Sequence, residues 1–99
     1  MEKAVKSRQM AFQINEFEYR ESIKQLVSVQ EQVASVRDWV DKIPDEQRRR
    51  RMLTVLSVAV DFHRKGMDPL SVKKIVCWRD DKGAPSIVEI EHHRPLTRS

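Results

Sequence analysis

The 99-residue sequence has few of the residues that phosphate loops, crosslinks and metal sites require. Its two glycines are too few for a glycine-rich phosphate-binding loop, which needs several residues without a Cβ atom. Its single cysteine, Cys77, excludes an internal disulfide and a thiolate zinc site, and is typical of a reducing compartment. We find no apolar run of the roughly 20 residues that span a membrane and no signal-peptide pattern. These absences predict a small cytoplasmic binding module.

Charge is distributed unevenly along the sequence. The chain has 19 basic and 15 acidic residues, a net charge of +4, and most of this excess lies in residues 45–66. Proteins that wrap nucleic acid usually spread basic residues over a broad face. A local basic segment therefore favours a limited contact with an acidic partner.

Residues 1–43 have the pattern of one long helix. Apolar residues recur every seven positions, with alternating spacings of three and four between Leu26 and Ile43. Pro44 cannot continue the helical hydrogen bonding, so the helix is expected to end just before it. Apolar residues alternate at 10–14, which makes a short strand the alternative there. The heptad seam packs either within the chain or against a second copy in a homodimer.

A buried helix is predicted over residues 45–65. Asp45 is a suitable N-cap, and Gly66 stands where a left-handed C-terminal cap is expected. Apolar side chains cover more than half of the helix circumference. We therefore expect the long first helix to pack along this one as an antiparallel hairpin.

Residues 69–91 are predicted to form a helical turn followed by a β-hairpin. An Asp-Pro pair opens the turn, and two β-prone runs flank an Asp-Lys-Gly turn. Residues 92–99 are predicted to be a flexible tail. The predicted fold is a single α+β domain over residues 1–99: a long antiparallel helical hairpin, a short helical turn and a C-terminal β-hairpin. The alternative is an all-α fold with a helix-turn-helix, in which residues 73–78 are helical.

The run Arg48–Arg51 is the most unusual feature of the sequence. It lies at the start of the buried helix, where the positive end of the helix dipole disfavours cations. Nearby anions would offset this, and they come either from the chain's own carboxylates or from an acidic partner. Trp78 would add an apolar anchor for a partner, although such a residue more often closes a small core. The predicted partner-binding residues are Arg48, Arg49, Arg50, Arg51, Arg64, Lys65 and Trp78.

Patterns for catalysis and metal binding are missing. The histidines and Cys77 have no metal-ligand spacing. Asp80 and Asp81 lie beside a predicted turn, where backbone geometry alone accounts for them. We therefore expect a protein without enzymatic activity, metal or cofactor.

The alternative function is a small basic DNA-binding regulator with a helix-turn-helix around residues 52–79. Its affinity for DNA would fall steeply with salt, because neutralised phosphates release counterions. The nucleic-acid-binding residues of this alternative are Ser71, Lys73, Lys74 and Arg79.

A long helix, a buried helix, an arginine run at their junction and a C-terminal hairpin together resemble the small anti-RecBCD accessory proteins of lambdoid phages. The resemblance covers the whole chain in size and character, and no site residues are carried over from it. It implies a non-enzymatic adaptor in the host bacterial cytoplasm. Such an adaptor binds the host helicase–nuclease that acts on DNA ends and redirects it toward phage recombination.

Replacing all of Arg48–Arg51 with glutamine is expected to abolish partner binding, because the change removes the carboxylate-pairing guanidiniums. Helical circular dichroism should stay unchanged. An affinity pull-down measures the binding, and undiminished recovery of the partner would contradict the assignment of this run.

Overall fold

A computed structural model describes residues 9–93 and has a mixed α+β fold. Within these residues, a single strand is followed by three α-helices, and a pair of strands comes last. The elements are β1 (Met10–Asn15), α1 (Glu16–Gln30), α2 (Val36–Asp41), α3 (Glu46–Arg64), a 3₁₀ turn (Pro69–Ser71), β2 (Val72–Arg79) and β3 (Pro85–His92).

The three strands of residues 9–93 form one antiparallel sheet in the order β1-β2-β3. Ile75 on the central strand β2 lies opposite Ile14 of β1 and Ile90 of β3. Cys77 lies opposite Val88 in the same way. Because side chains alternate along a strand, this register places all five residues on one face, toward the helices.

The hydrophobic core lies between that face of the sheet and the helices. Tyr19, Ile14, Ile75, Val40, Val55 and Val72 are the largest fully buried side chains. From α3, Met52, Val55, Val58 and Phe62 are buried at spacings of three and four residues. This is the one-sided apolar stripe of a helix packed on a core.

The prediction of one helix over residues 1–43 is wrong for the described part of that range. Residues 10–15 form β1, as the alternation of their apolar residues had suggested, because pairing with β2 buries Ile14. Asn15 then caps α1, its side-chain oxygen accepting a hydrogen bond from the Glu18 amide at 2.8 Å. A break after Gln30 separates α1 from the short α2. Residues 1–8 lie outside the described residues.

The heptad positions pack within this chain. Leu26 and Val29 of α1, Val40 of α2 and the following Ile43 are all buried. Because α1 and α2 are separate helices, the continuous heptad seam predicted as a homodimer contact does not form. The element joined to α3 through Pro44 is the six-residue α2 rather than a long helix.

The predicted buried helix corresponds to α3. The Asp45 carboxylate caps it, accepting hydrogen bonds from the Gln47 and Arg48 amides at 3.0 and 3.3 Å. Gly66 follows the helix with a φ of 75°, a left-handed conformation that favours glycine.

Residues 72–79 form a strand, so the helix-turn-helix alternative is wrong. Pairing on both edges of β2 accounts for this choice, since it buries Ile75 and Cys77 between two neighbouring strands.

The turn to β3 is organised by Asp80, whose carboxylate accepts hydrogen bonds from the Lys82 and Ala84 amides and the Ser86 hydroxyl at 2.9–3.0 Å. These bonds, chiefly that from Ala84, lower the pKa of Asp80. His92 belongs to β3 rather than to a tail, and residues 94–99 lie outside the described residues.

Replacing Tyr19 with phenylalanine is expected to lower the free energy of unfolding by about 1–2 kcal/mol, because the Pro69 carbonyl loses its donor. The Tyr19 hydroxyl donates to that carbonyl at 2.7 Å. Burial, and to a lesser degree the Asp68 carboxylate, raises the pKa of Tyr19 to about 12. Unfolded tyrosine ionises near pH 10, so this stabilisation is complete below pH 10 and is lost as the pH rises toward 12. Urea unfolding of the wild type and the variant at several pH values between 9 and 12 measures the effect. If the free energies of unfolding of the two proteins differ by the same amount at every pH, the prediction is contradicted.

Candidate functional site

The four consecutive arginines at the start of α3 do not form one patch. Successive residues of an α-helix are turned about 100° apart, so neighbouring side chains point in different directions. Each guanidinium donates to a different part of the chain. The acceptors are Gln25 for Arg48, the Ile43 carbonyl for Arg49, Glu46 for Arg50 and Glu18 for Arg51.

Arg51 joins α3 to the first two elements of the chain. Its guanidinium donates two hydrogen bonds to the Glu18 carboxylate, at 2.7 and 2.6 Å, and a third to the Gln13 carbonyl at 2.7 Å. Its central carbon lies 5.4 Å from the centre of the Phe12 ring. Hydrogen bonding to Glu18 raises the pKa of Arg51. Arg51 therefore serves the fold, although the sequence placed it with the partner-binding residues.

The other predicted partner-binding residues lie far from this end of α3. Arg64 and Lys65 lie at its C-terminal end, about 20 Å from Arg50 at 1.5 Å of rise per residue. The Lys65 ammonium lies 3.0 Å from the Asp61 carboxylate. Trp78 lies on the sheet face opposite the helices. The structure thus does not bring the seven predicted residues onto one surface.

Trp78 donates from its indole nitrogen to Glu89 on the neighbouring strand at 3.0 Å. This bond holds the indole ring across the outer face of the sheet. The indole nitrogen is thereby satisfied within the chain, as is usual for a tryptophan at a sheet surface.

The residues of the DNA-binding alternative lie on the 3₁₀ turn and on β2 rather than on a recognition helix. The Ser71 hydroxyl donates to the Asp68 carbonyl at 2.8 Å. The ammonium groups of Lys73 and Lys74 lie 3.8 and 3.7 Å from the Glu91 carboxylate, which offsets part of their charge. Arg79, the fourth residue, lies at the far end of β2, close to α3.

Two residues from different elements meet beside the start of α3. Arg50 of α3 and Arg79 of β2 line a hollow of about 360 Å³ whose walls include Phe12 and Pro85. Arg50 also lines a second hollow, of about 460 Å³, between α3 and β3. The walls of the second hollow include Arg37, Leu53, Thr54, Ser57, Val88 and Ile90. We call the two together the α3–β3 groove.

The groove exists because the helices cover β2 more completely than β3. Val88 and Cys77 lie opposite each other on the helix-facing side of the sheet. Cys77 is 3% exposed, whereas Val88 is 45% exposed. An apolar side chain on the inward face of a strand is normally covered, so Val88 marks the place where residues 9–93 leave the sheet open.

The arginines at the groove keep donors for an incoming anion. Arg79 donates one hydrogen bond, at 2.9 Å, to the neutral carbonyl of Gly83. Arg50 and Arg37 pair with the exposed carboxylates of Glu46 and Asp41 at 2.9 and 3.4 Å. A guanidinium has five N–H donors, so each of the three has donors beyond the bonds described. The groove therefore combines an apolar floor with a rim on which arginines outnumber the carboxylates of Glu46 and Asp61.

A larger depression of about 790 Å³ lies between α1 and the start of α3, beside the exposed Phe17. Four of its six charged side chains form ion pairs, Glu18 with Arg51 and Glu21 with Lys24. The α3–β3 groove is the better candidate, because its arginines come from separate elements around an apolar floor.

Nothing in residues 9–93 arranges three or more His, Cys, Asp or Glu side chains as metal ligands. Cys77 is buried, and this burial raises the pKa of its thiol, which disfavours the reactive thiolate. The described residues include no helix that is both long and apolar enough to cross a membrane.

Sequence reasoning missed Arg37, Leu53 and Val88 as parts of a site. The alternation of β3 does place Val88 on the helix-facing side. That signal cannot show which strand the helices leave uncovered, because the answer depends on how the helices pack.

Comparisons of the chain with protein-family models, with curated proteins and with solved structures find no match.

Replacing Arg51 with lysine is expected to lower the free energy of unfolding by about 1–2 kcal/mol, because an ammonium cannot reproduce the forked pair and the bond to Gln13. The loss is small because both side chains of the ion pair are about one-third exposed, so solvent screens part of their attraction. Urea unfolding measures the change.

Arg50→Gln is the matched control from the same run, since it breaks only an exposed pair within one helix and should change stability by less than about 0.5 kcal/mol. Equal losses in the two variants would contradict the structural role of Arg51. This role also means that replacing all four arginines would weaken the fold, so binding is better tested at Arg50 and Arg79.

Proposed function

We propose that this chain is a non-enzymatic adaptor that binds a segment of a partner protein in the α3–β3 groove. Apolar side chains of the segment pack on the groove floor, and an acidic side chain pairs with Arg50 and Arg79. The single observation that carries the proposal is the exposed Val88, an inward-facing strand residue beside arginines that keep free donors.

The composition of the groove supports a protein partner over a small substrate. Its two hollows share Arg50, and four aliphatic side chains line the second, from Leu53, Val58, Val88 and Ile90. Buried aliphatic contact with charged residues at the margin is the usual anatomy of a protein interface. Arginine suits the margin because its planar fork pairs with a carboxylate in two-point fashion.

The resemblance to lambdoid-phage anti-RecBCD proteins makes the proposal more specific. Under it, the adaptor acts in the host bacterial cytoplasm, and the partner is a helicase–nuclease complex acting on DNA ends, whose recombination activity the adaptor modulates. This identity is the more specific part of the proposal, and the groove supports only its protein-binding part.

DNA binding is the second candidate function. One observation favours it: Arg79, a residue of that alternative, lines the groove together with Arg50 and near Arg51. The pairing of Lys73 and Lys74 with Glu91 weakens it, because those lysines would have to give up a carboxylate for a phosphate.

Affinity capture from bacterial lysate, with and without nuclease treatment, tests the proposal. The wild-type chain should recover a host protein in stoichiometric amount after nuclease treatment. The variant Arg50→Gln with Arg79→Gln should recover at least about tenfold less, equivalent to about 1.4 kcal/mol of binding free energy. Val88→Thr, which keeps the branched shape but adds a hydroxyl to the floor, should also reduce recovery.

The control variant, Lys24→Gln with Lys42→Gln, removes the same number of positive charges from exposed positions outside the groove lining. It should recover the partner as well as the wild type. Equal losses in the two double variants would mean that net charge, not the groove, governs binding. Recovery that disappears with nuclease would favour the DNA-binding alternative instead.

A further inference from the structure

We infer that the partner segment binds as an extended strand added to the outer edge of β3, an inference that rests on the proposed function. Among the strands of residues 9–93, β3 has one neighbour, β2. Its other edge has no strand partner among these residues, and Val88 and Ile90 of the same strand line the α3–β3 groove. A strand placed there would pair the backbone groups of that edge while its side chains reach the groove floor.

The faces of β3 determine which side chains such a strand would carry. Successive side chains of a strand point to opposite faces of the sheet. One set would enter the groove beside Val88 and Ile90, where apolar residues fit. The other set would lie on the outer face beside Glu89 and Glu91. Glu89 already accepts from the Trp78 indole, and Lys73 and Lys74 offset part of the Glu91 charge. The two carboxylates still favour basic over acidic residues at these positions.

The arginines determine the end at which an acidic residue fits. Arg50 and Arg79 line the groove with Pro85, the first residue of β3. An added strand that continues the antiparallel pattern of this sheet would have its C-terminal end beside Pro85. The recognised chemistry is therefore a segment of alternating apolar and basic residues that ends in an acidic residue.

A second copy of this chain fits the edge less well than a different protein. Antiparallel pairing of β3 with its own copy, in the register centred on Ile90, would place Glu89 opposite Glu91 of the other copy. Like charges opposite each other on neighbouring strands are destabilising. The occupant that the charges favour is thus a segment of another protein.

A synthetic peptide tests this inference with the full-length chain. The peptide has eight residues to match β3, alternates valine and lysine, and ends in glutamate. In the free protein, the β3 amides that point away from β2 should exchange their hydrogens rapidly. Saturating peptide should slow that exchange and shift those amide resonances. Slow exchange of the same amides in the free protein would overturn the inference, because the edge would already be covered.

Two N-methylated peptides provide the matched control for the binding mode. One is methylated at alternate valine amides, the other at alternate lysine amides. The two sets of amides point to opposite edges of a strand, so only one peptide should lose affinity, by at least about tenfold. Equal affinities of the two would overturn the strand mode, as would failure of the unmethylated peptide to bind.

The arginine end is tested by a peptide that ends in glutamine, with both peptides amidated at the C-terminus so that no α-carboxylate replaces the missing side-chain charge. Arg50→Gln with Arg79→Gln should weaken binding of the glutamate peptide and leave the glutamine peptide unaffected. Equal weakening of both peptides would overturn the assigned direction.

The proposed function and the strand mode can fail separately. A lysate partner that needs Arg50 and Arg79 but leaves the β3 amides unprotected would support the proposed function and overturn only the strand mode. A dimer through β3 without peptide, detected by sedimentation, would overturn the choice of occupant.

Discussion

Burial of the central strand β2 is the constraint on which the other elements depend. Both neighbouring strands take their register from it, and its Ile75 and Cys77 face the helices with almost no exposure. Helix α1 packs against β1 and β2, and α3 packs against α1, α2 and the 3₁₀ turn. The helices are thus placed to cover β1 and β2, and β3 is left with a half-covered inner face. The α3–β3 groove follows from this uneven coverage, and it needs no special sequence motif.

The arginine run shows how one sequence feature can have several structural roles. Cations at a helix N-terminus are unfavourable, and carboxylates compensate for them here. Two carboxylates near the run in sequence provide part of this compensation. Asp45 accepts hydrogen bonds from the first amides of the helix, and Glu46 pairs with Arg50. The strongest pair, between Arg51 and Glu18, spans 33 positions. Partners chosen by nearness in sequence therefore explain only part of the run.

Local signals predicted the elements whose ends are fixed by a few residues. The Asp45 cap, the Gly66 terminus and the Asp80 turn all lie where their residue types indicated. The first third of the chain could not be predicted in this way, because β1 forms by pairing with β2 some sixty positions later. The helical periodicity of the apolar residues also continues across residues 31–35, which are not helical. Ser35 caps the N-terminus of α2 and so starts a new helix there. For the site, the sequence predicted Arg50 as a partner-binding residue and Arg79 as a residue of the DNA-binding alternative. Only the tertiary structure shows that the two line the same hollow.

An edge strand beside an apolar groove carries a risk of self-association, and the features of β3 reduce that risk selectively. Pro85 opens the strand, and the register between β2 and β3 shifts at both ends of the pair. In the antiparallel register centred on Ile90, Glu89 and Glu91 of two copies of β3 would lie opposite each other as like charges. Pro85 and the register shifts act on any added strand, so the selectivity comes from the two glutamates. These do not oppose a strand with basic residues on its outer face and an acid at the arginine end. The charges that disfavour a second copy are therefore the same ones that would select a different partner, which is how binding specificity is gained without a deeper pocket.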